Sequence, residues 1–327
     1  MADLSTIYMG LQLKNPIIVS SSGLTDSIEK ILELEEKGAA AVVVKSLFEE
    51  QIMMDLDSQR MNNMFNTYSE AENYIGYYTR KNALDSYTAL ISNARQKAGI
   101  PVIASINCYS DDQWVDFASV CQSAGADGLE LNMFILPADP EMTGTDIESI
   151  YMKVAEKVTR SVSIPVAMKI HHYFSGLTSF VTGLSRSGIK GLVLFNRFYQ
   201  PDVDLEKERI TSGNIFSMPE ENAMVIRWLS ILSGKVSCDL AASTGIHSGE
   251  AVLKNLLVGA NTVQVASVVY QQGTAVIPSM LSYVNEWLDN HGYHSVNEIT
   301  GKLRQADSLK PLVYERAQFM KYFSDAR

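Results

Sequence analysis

Ala40-Ala41-Val42-Val43-Val44-Lys45 and Pro165-Val166-Ala167-Met168-Lys169 are two apolar runs that each end on a lysine. Runs this apolar and this short suit strands covered on both faces, as in a parallel sheet under helices, and a charged residue at such a strand's carboxyl end stands where ligands are met. Six further runs share the pattern: NPIIVS from Asn15, PVIASI from Pro101, DGLELN from Asp127, GLVLFN from Gly191, VSCDLAAS from Val236 and NTVQVA from Asn261. Between them the apolar spacing turns helical, as in SIEKILELEEKG, ALDSYTALISNARQKAG, DDQWVDFASVCQSAG and IESIYMKVAEKVTR. Gly38, Gly99, Gly125 and Gly188 stand just past such stretches, where left-handed helix caps are expected.

Strand then helix, repeated eight times at intervals of about 25 residues, predicts the α/β class and a (β/α)8 TIM barrel with a parallel eight-stranded core. No linker interrupts the repeat, so residues 1–327 are expected to form a single barrel domain with a C-terminal helical extension from about 295. A doubly wound open sheet is the weaker reading, since no GxGxxG follows the first strand. The intervals 47–82 and 197–218 are too long for plain βα loops and are expected to form lids over the C-terminal face.

Composition narrows the function. Hydrophobic residues make up 46% of the chain and charged residues 20%, which permits a large core, and a net charge of −10 without basic runs argues against nucleic acid. Cys108, Cys121 and Cys238 are odd in number and form no CxxC pair, which suits reduced thiols in a cytoplasmic protein. No window approaches the roughly 18 apolar residues of a membrane span, so no membrane partner is expected. No carboxylate or third histidine stands at metal-ligand spacing from His171 and His172, so no metal is expected.

The strand ends carry the chemistry. A desolvated lysine is unfavourable by several kcal/mol unless a negative charge meets it. Lys45 and Lys169 therefore call for a phosphate, a carboxylate or an anionic reduced flavin, unless an internal carboxylate such as Glu130 pairs with one of them. Strand one runs into SSSGLT, residues 20–25, whose small residues allow a flat ligand close approach. AASTGIHSGEA (241–251) and the Ala266-Ser267 pair after strand eight match the position where barrels hold phosphate through backbone N–H groups. At least one of His171 and His172 is expected to face the barrel mouth, as an acid–base group or ligand donor.

In this order and over roughly residues 1 to 290, NPIIVSSSGLT, AAVVVKS, DGLELN, IPVAMKIHHYF, LVLFN and ASTGIHSGEAVLKNLLVGANTVQVAS resemble the FMN-dependent dihydroorotate dehydrogenases of the soluble class. The resemblance implies a noncovalent FMN at the barrel top, which takes hydride from dihydroorotate while a base removes a proton. It places Ser22 and Gly23 against the flavin, Lys45 and Ser46 beside the ring and ribityl chain, and Lys169 at the edge where reduced flavin is negative. Asn132 and Asn196 match asparagines that touch flavin or substrate, and Arg197 joins them on the substrate side. Thr244, Gly245, Ala266 and Ser267 would hold the phosphate, with Thr244 and Ala266 standing where glycine is usual. A small-molecule partner, dihydroorotate or a related ring compound, and a homodimer follow from the same resemblance.

The sequence also departs from that family. The catalytic cysteine or serine after the strand-four asparagine falls here on Ile135, or on Leu136 with a one-residue shift, and neither accepts a proton. NTYSEAENYIGYY, residues 66–78, does not align with the family's substrate loop, and Arg197 replaces a small hydroxyl residue. Proton transfer then falls to His171, His172, Cys108 or one of Tyr74, Tyr77 and Tyr78. The favoured reading is an FMN-dependent oxidoreductase acting on CH–CH groups, converting dihydroorotate to orotate in pyrimidine biosynthesis or acting on a different dihydro ring. Two alternatives stand beside it: a Schiff-base aldolase or lyase with Lys169 as nucleophile, and a flavin-binding module without catalysis.

Overall fold

The computed structural model describes residues 2–50, 69–108, 111–197, 200–308 and 312–315, and, within these, the side chains outside 69–81, 111–112 and 312–313. An N-terminal hairpin, β1 (Thr6–Tyr8) and β2 (Leu11–Leu13), precedes the barrel. The barrel strands follow as β3 (Ile17–Val19), β4 (Ala41–Val43) with its short continuation β5 (Leu47–Phe48), β6 (Val102–Asn107), β7 (Gly128–Asn132), β8 (Val166–Ile170) and β9 (Gly191–Leu194). A second hairpin, β10 (Pro201–Asp204) and β11 (Arg209–Ser212), intervenes before β12 (Asp239–Ser243) and β13 (Thr262–Val265). All barrel pairings are parallel, and β4 pairs with both β3 and β6, so the ring of eight strands closes. Each of the eight apolar runs of the sequence supplies one strand of it.

Two apolar layers follow from strand alternation. Ile18, Ala41, Val43, Ile103, Ala167, Val193 and Ala241 fill the barrel interior together with Tyr8, Met9 and Leu13 of the first hairpin. That hairpin plugs the amino-terminal end: a Cβ on Gly191, the first residue of β9, would lie 2.8 Å from the Tyr8 hydroxyl. The outer layer, including Val42, Val102, Leu129, Met168, Leu192 and Val263, packs against the helices. With the floor blocked, the carboxyl end is the open face.

Three expectations are corrected. The interval after strand two is not loop throughout, because a helix covers Ser69–Lys97 and so begins well before Ala83; Gly76, unfavourable by about 1 kcal/mol in a helix, does not stop it. The interval after strand six contains the antiparallel β10–β11 hairpin, in register Val203↔Ile210. Gly38, Gly125 and Gly188 take positive φ as caps, whereas Gly99 does not: its N–H donates to Glu35 Oε1 at 2.8 Å. Beyond residue 295 the described residues form two 3₁₀ turns, Val296–Glu298 and Gln305–Asp307, and a four-residue helix, Leu312–Glu315.

Candidate active site at the barrel mouth

The inward positions near the carboxyl ends of the strands are polar and form one connected network. Lys169 Nζ, on β8, donates to Ser20 Oγ at 3.0 Å and to Gln264 Oε1 at 3.1 Å. Gln264 Nε2 in turn donates to Glu130 Oε2 at 2.6 Å. The lysine is 8% exposed and Glu130 1%. Lys169 thus meets the internal carboxylate across an amide and not in direct contact. Burial lowers its pKa from the ordinary lysine value, and the Glu130 charge partly offsets this.

A second chain of contacts crosses the mouth. Ser46 N donates to Ser21 Oγ at 2.8 Å, the Ser46 and Ser105 hydroxyls pair at 2.7 Å, and Asn132 Nδ2 reaches Ser46 Oγ at 3.4 Å. Asn196 Nδ2 donates to Asn132 Oδ1 and approaches Met133 O at 3.5 Å. Ser46, Asn132 and Asn196 are therefore brought together. Lys45 corrects the expectation of a second desolvated lysine: strand pairing is interrupted between β4 and β5, and at that break its side chain is exposed. Ser22 and Gly23 lie on the turn after β3, where a Cβ on Gly23 would stand 2.8 Å from the Tyr270 hydroxyl.

Between the ends of β12 and β13 lies a cavity of about 160 Å³, whose walls include Lys169, Asn196, Thr244, Gly245, Ala266 and Ser267. Thr244 and Gly245 take successive φ values of 83° and 76°. That conformation is strained for a β-branched residue. Thr244 is held in it by a bond from its Oγ1 to Phe195 O at 3.1 Å and by Asn222 Nδ2 on its carbonyl at 3.1 Å. A Cβ on Gly245 would overlap the Asn222 backbone nitrogen. The strand-six segment closes one side of the cavity: Arg197 binds Glu221 at 2.9 Å and donates to Asn214 O and Ile215 O at 2.9 and 3.0 Å. Ser217 N donates to Ser267 Oγ at 3.0 Å, and Ser217 Oγ pairs with His247 Nε2 at 3.1 Å.

The acid–base candidates separate by burial. His171 is buried, stacks on Phe174 at 4.6 Å between ring centroids, and accepts from Tyr173 N through Nδ1 at 2.8 Å. Burial pushes its pKa down to about 4. His172 instead lines an adjoining cavity of about 270 Å³ with Phe195, Asn196, Arg197 and Thr244. Its Nδ1 is buried without a hydrogen-bond partner among the described residues, and desolvation lowers its pKa. Cys108 is buried in the outer apolar layer and does not line either cavity. The side chains of Tyr74, Tyr77 and Tyr78 lie outside the described residues. After Asn132 the chain presents buried Met133, half-buried Ile135 and exposed Phe134 and Leu136.

The comparisons with known proteins agree with this architecture. The family model described as dihydroorotate dehydrogenase matches residues 3–288. The chain belongs to the dihydroorotate dehydrogenase family. The catalytic subunit of dihydroorotate dehydrogenase B (NAD(+)) from Thermoplasma acidophilum is 24% identical over 310 residues, which cover 92% of this chain and 99% of that protein. The putative dihydroorotate dehydrogenase A (fumarate) of Aeropyrum pernix is 27% identical over 225 residues, 66% of this chain and 72% of the relative. The NAD-dependent dihydropyrimidine dehydrogenase subunit PreA of Escherichia coli K12 is 23% identical over 318 residues, covering 91% and 76%. Family membership supports a dihydroorotate dehydrogenase-like oxidoreductase, and the relatives differ in the ring and electron acceptor that their names give.

Gln264 and Ser217 line the first cavity, and sequence reasoning did not single them out. Gln264 had a signal, as the lone amide inside the apolar run TVQV, whereas Ser217 is joined to Ser267 and His247 by folding alone. Among the described residues, no helix is long and apolar enough to cross a membrane.

Proposed function

We propose that this protein is an FMN-dependent oxidoreductase that oxidises a dihydropyrimidine-type ring, dihydroorotate or a close relative of it. The observation that carries the reading is the buried Lys169, held by Ser20 and Gln264 on the wall of a cavity bounded by the Thr244-Gly245 turn. The residues present suit such a cofactor. Gly245 leaves no room for a Cβ, small residues end both β12 and β13, and a desolvated cation faces the same cavity. FMN bound there would supply a hydride acceptor.

The chain's own residues do the remaining work. Thr244, Gly245, Ala266 and Ser267 would hold the phosphate, with Ser22, Gly23, Lys45 and Ser46 toward the ring and ribityl chain. Lys169 holds positive charge where negative charge develops, in a site already organised by Ser20 and Gln264. Asn132 and Asn196, joined by their amides, orient the substrate, and Arg197 closes the wall beside them. The His172 imidazole, kept neutral near pH 7 by its lowered pKa, takes up the substrate proton in place of the family's cysteine or serine. Ile135 and Leu136 leave that position without a base.

The purified protein is expected to show flavin absorbance and to bleach under anaerobic conditions with dihydroorotate or a dihydropyrimidine. A colourless protein that borohydride and a keto acid label at Lys169 would establish the Schiff-base alternative instead, and a yellow protein that no dihydro ring bleaches would establish the inactive flavin-binding module.

A further inference from the structure

Glu130 is a carboxylate sealed inside the barrel, on β7, with no cation in direct contact among the described residues. One of its oxygens takes the Gln264 amide at 2.6 Å, and the other has no hydrogen-bond partner among the described residues. A buried carboxylate without a paired cation is unfavourable. Its nearest compensation is Lys169, one residue further along the amide bridge. The chemistry of the bridge is directional at both ends. A carboxylate only accepts hydrogen bonds and an ammonium only donates them, so the Gln264 NH2 must face Glu130 and its carbonyl must face Lys169.

We propose that Glu130 is a positioning residue for Lys169, acting through Gln264: it locks the amide with its carbonyl toward the lysine and supplies the lysine's counter-charge from inside the barrel. Ser20 completes the cradle, since its hydroxyl donates to the same Gln264 oxygen at 3.1 Å while accepting from Lys169. The other cation on that cavity wall is Arg197, which is neutralised by Glu221 on its own side. Without Glu130, the Gln264 amide keeps only the Lys169 and Ser20 end of its directional lock, and Lys169 loses the charge that partly offsets its burial. The part of this inference that concerns Lys169 and Glu130 stands on the contacts alone, and its use toward a reduced flavin rests on the function proposed above.

The test is the titration of Lys169 in the whole protein as purified, read from the ε-carbon resonance of ¹³C-labelled lysine and assigned with Lys169→Arg. In Glu130→Gln the proton affinity of Lys169 is expected to fall about tenfold, the size of one interaction between nearby charges in a partly screened interior. The exchanged double variant, Glu130→Gln with Gln264→Glu, keeps the same groups and total charge but sets the carboxylate against the lysine, and is expected to raise the affinity above that of the parent. It gives a result even where the single variant fails to fold. An unchanged midpoint in Glu130→Gln, or an exchanged variant that does not exceed the parent, would overturn the proposal. Flavin absorbance of the same samples tests the functional reading separately, because the lysine titration decides the inference in coloured and colourless protein alike.

Discussion

Gly245 and His172 are the residues on which the proposed site depends most narrowly. Gly245 combines a φ of 76° with a backbone neighbour, Asn222, that leaves no room for a side chain. Gly245→Ala is expected to destabilise the protein by about 2 kcal/mol or more, through a left-handed conformation and a clash that rigid backbone cannot relieve. A urea unfolding midpoint reads this directly, and an unchanged midpoint would mean that the turn relaxes. Thr244, its neighbour, bears a similar conformation with a side-chain anchor on Phe195 O, which shows how a residue other than glycine is held there. His172 is tested by chemistry: His172→Gln is expected to slow anaerobic flavin reduction by substrate on the order of 10²–10⁴-fold with flavin content unchanged. Equal reduction rates would move proton transfer to another group.

At the scale of elements, the described part of the segment between β9 and the helix Asn222–Leu232 is anchored near its two ends. The β10–β11 hairpin is largely exposed, and the ties just beyond it run from Arg197 to Glu221, Asn214 O and Ile215 O and from Ser217 to Ser267 and His247. A guanidinium can serve three acceptors in a fixed fork, and an ammonium on a flexible stem does not reproduce that geometry. Arg197→Lys is expected to accelerate limited proteolysis within residues 200–218 several-fold while the barrel stays resistant. A cleavage rate equal to the parent's would show that the Ser217 contacts and the packing of Phe216 on Tyr270 hold the segment without Arg197. The strands were legible because buried runs of Val, Ile and Leu are unmistakable at this spacing. The hairpin was not, because its apolar residues Val203, Leu205 and Ile210 are exposed, so no buried run marks it.

Across the whole molecule, burial lowers the proton affinity of three histidines. His171, His172 and His247 all have lowered pKa values, His171 to about 4 from an ordinary 6.5. The unfolded chain therefore binds more protons than the folded one between these limits. The contribution of His171 to stability is present above pH 6.5 and is lost as pH falls toward about 4, and His172 and His247 act in the same direction. The urea midpoint is expected to decline across that window, less steeply in His171→Gln. A decline of equal steepness in that variant would assign the acid sensitivity to other groups.

The sequence by itself determined the closed repeat of strand and helix, which depends on which residues must be buried and in what order, and the family, through motifs at the strand ends; it also pointed to those ends as the candidate site. It also identified Lys169, Asn132, Asn196 and the Thr244-Gly245 pair as residues standing at strand ends. Side-chain direction and solvent access were decided by tertiary structure. The break between β4 and β5 leaves Lys45 exposed, the packing against Phe174 and Tyr151 takes His171 into the core and leaves His172 on the mouth cavity, and barrel closure brings Gln264 between Lys169 and Glu130. A sequence states which groups are charged; closure of the ring sets the distances at which those charges meet.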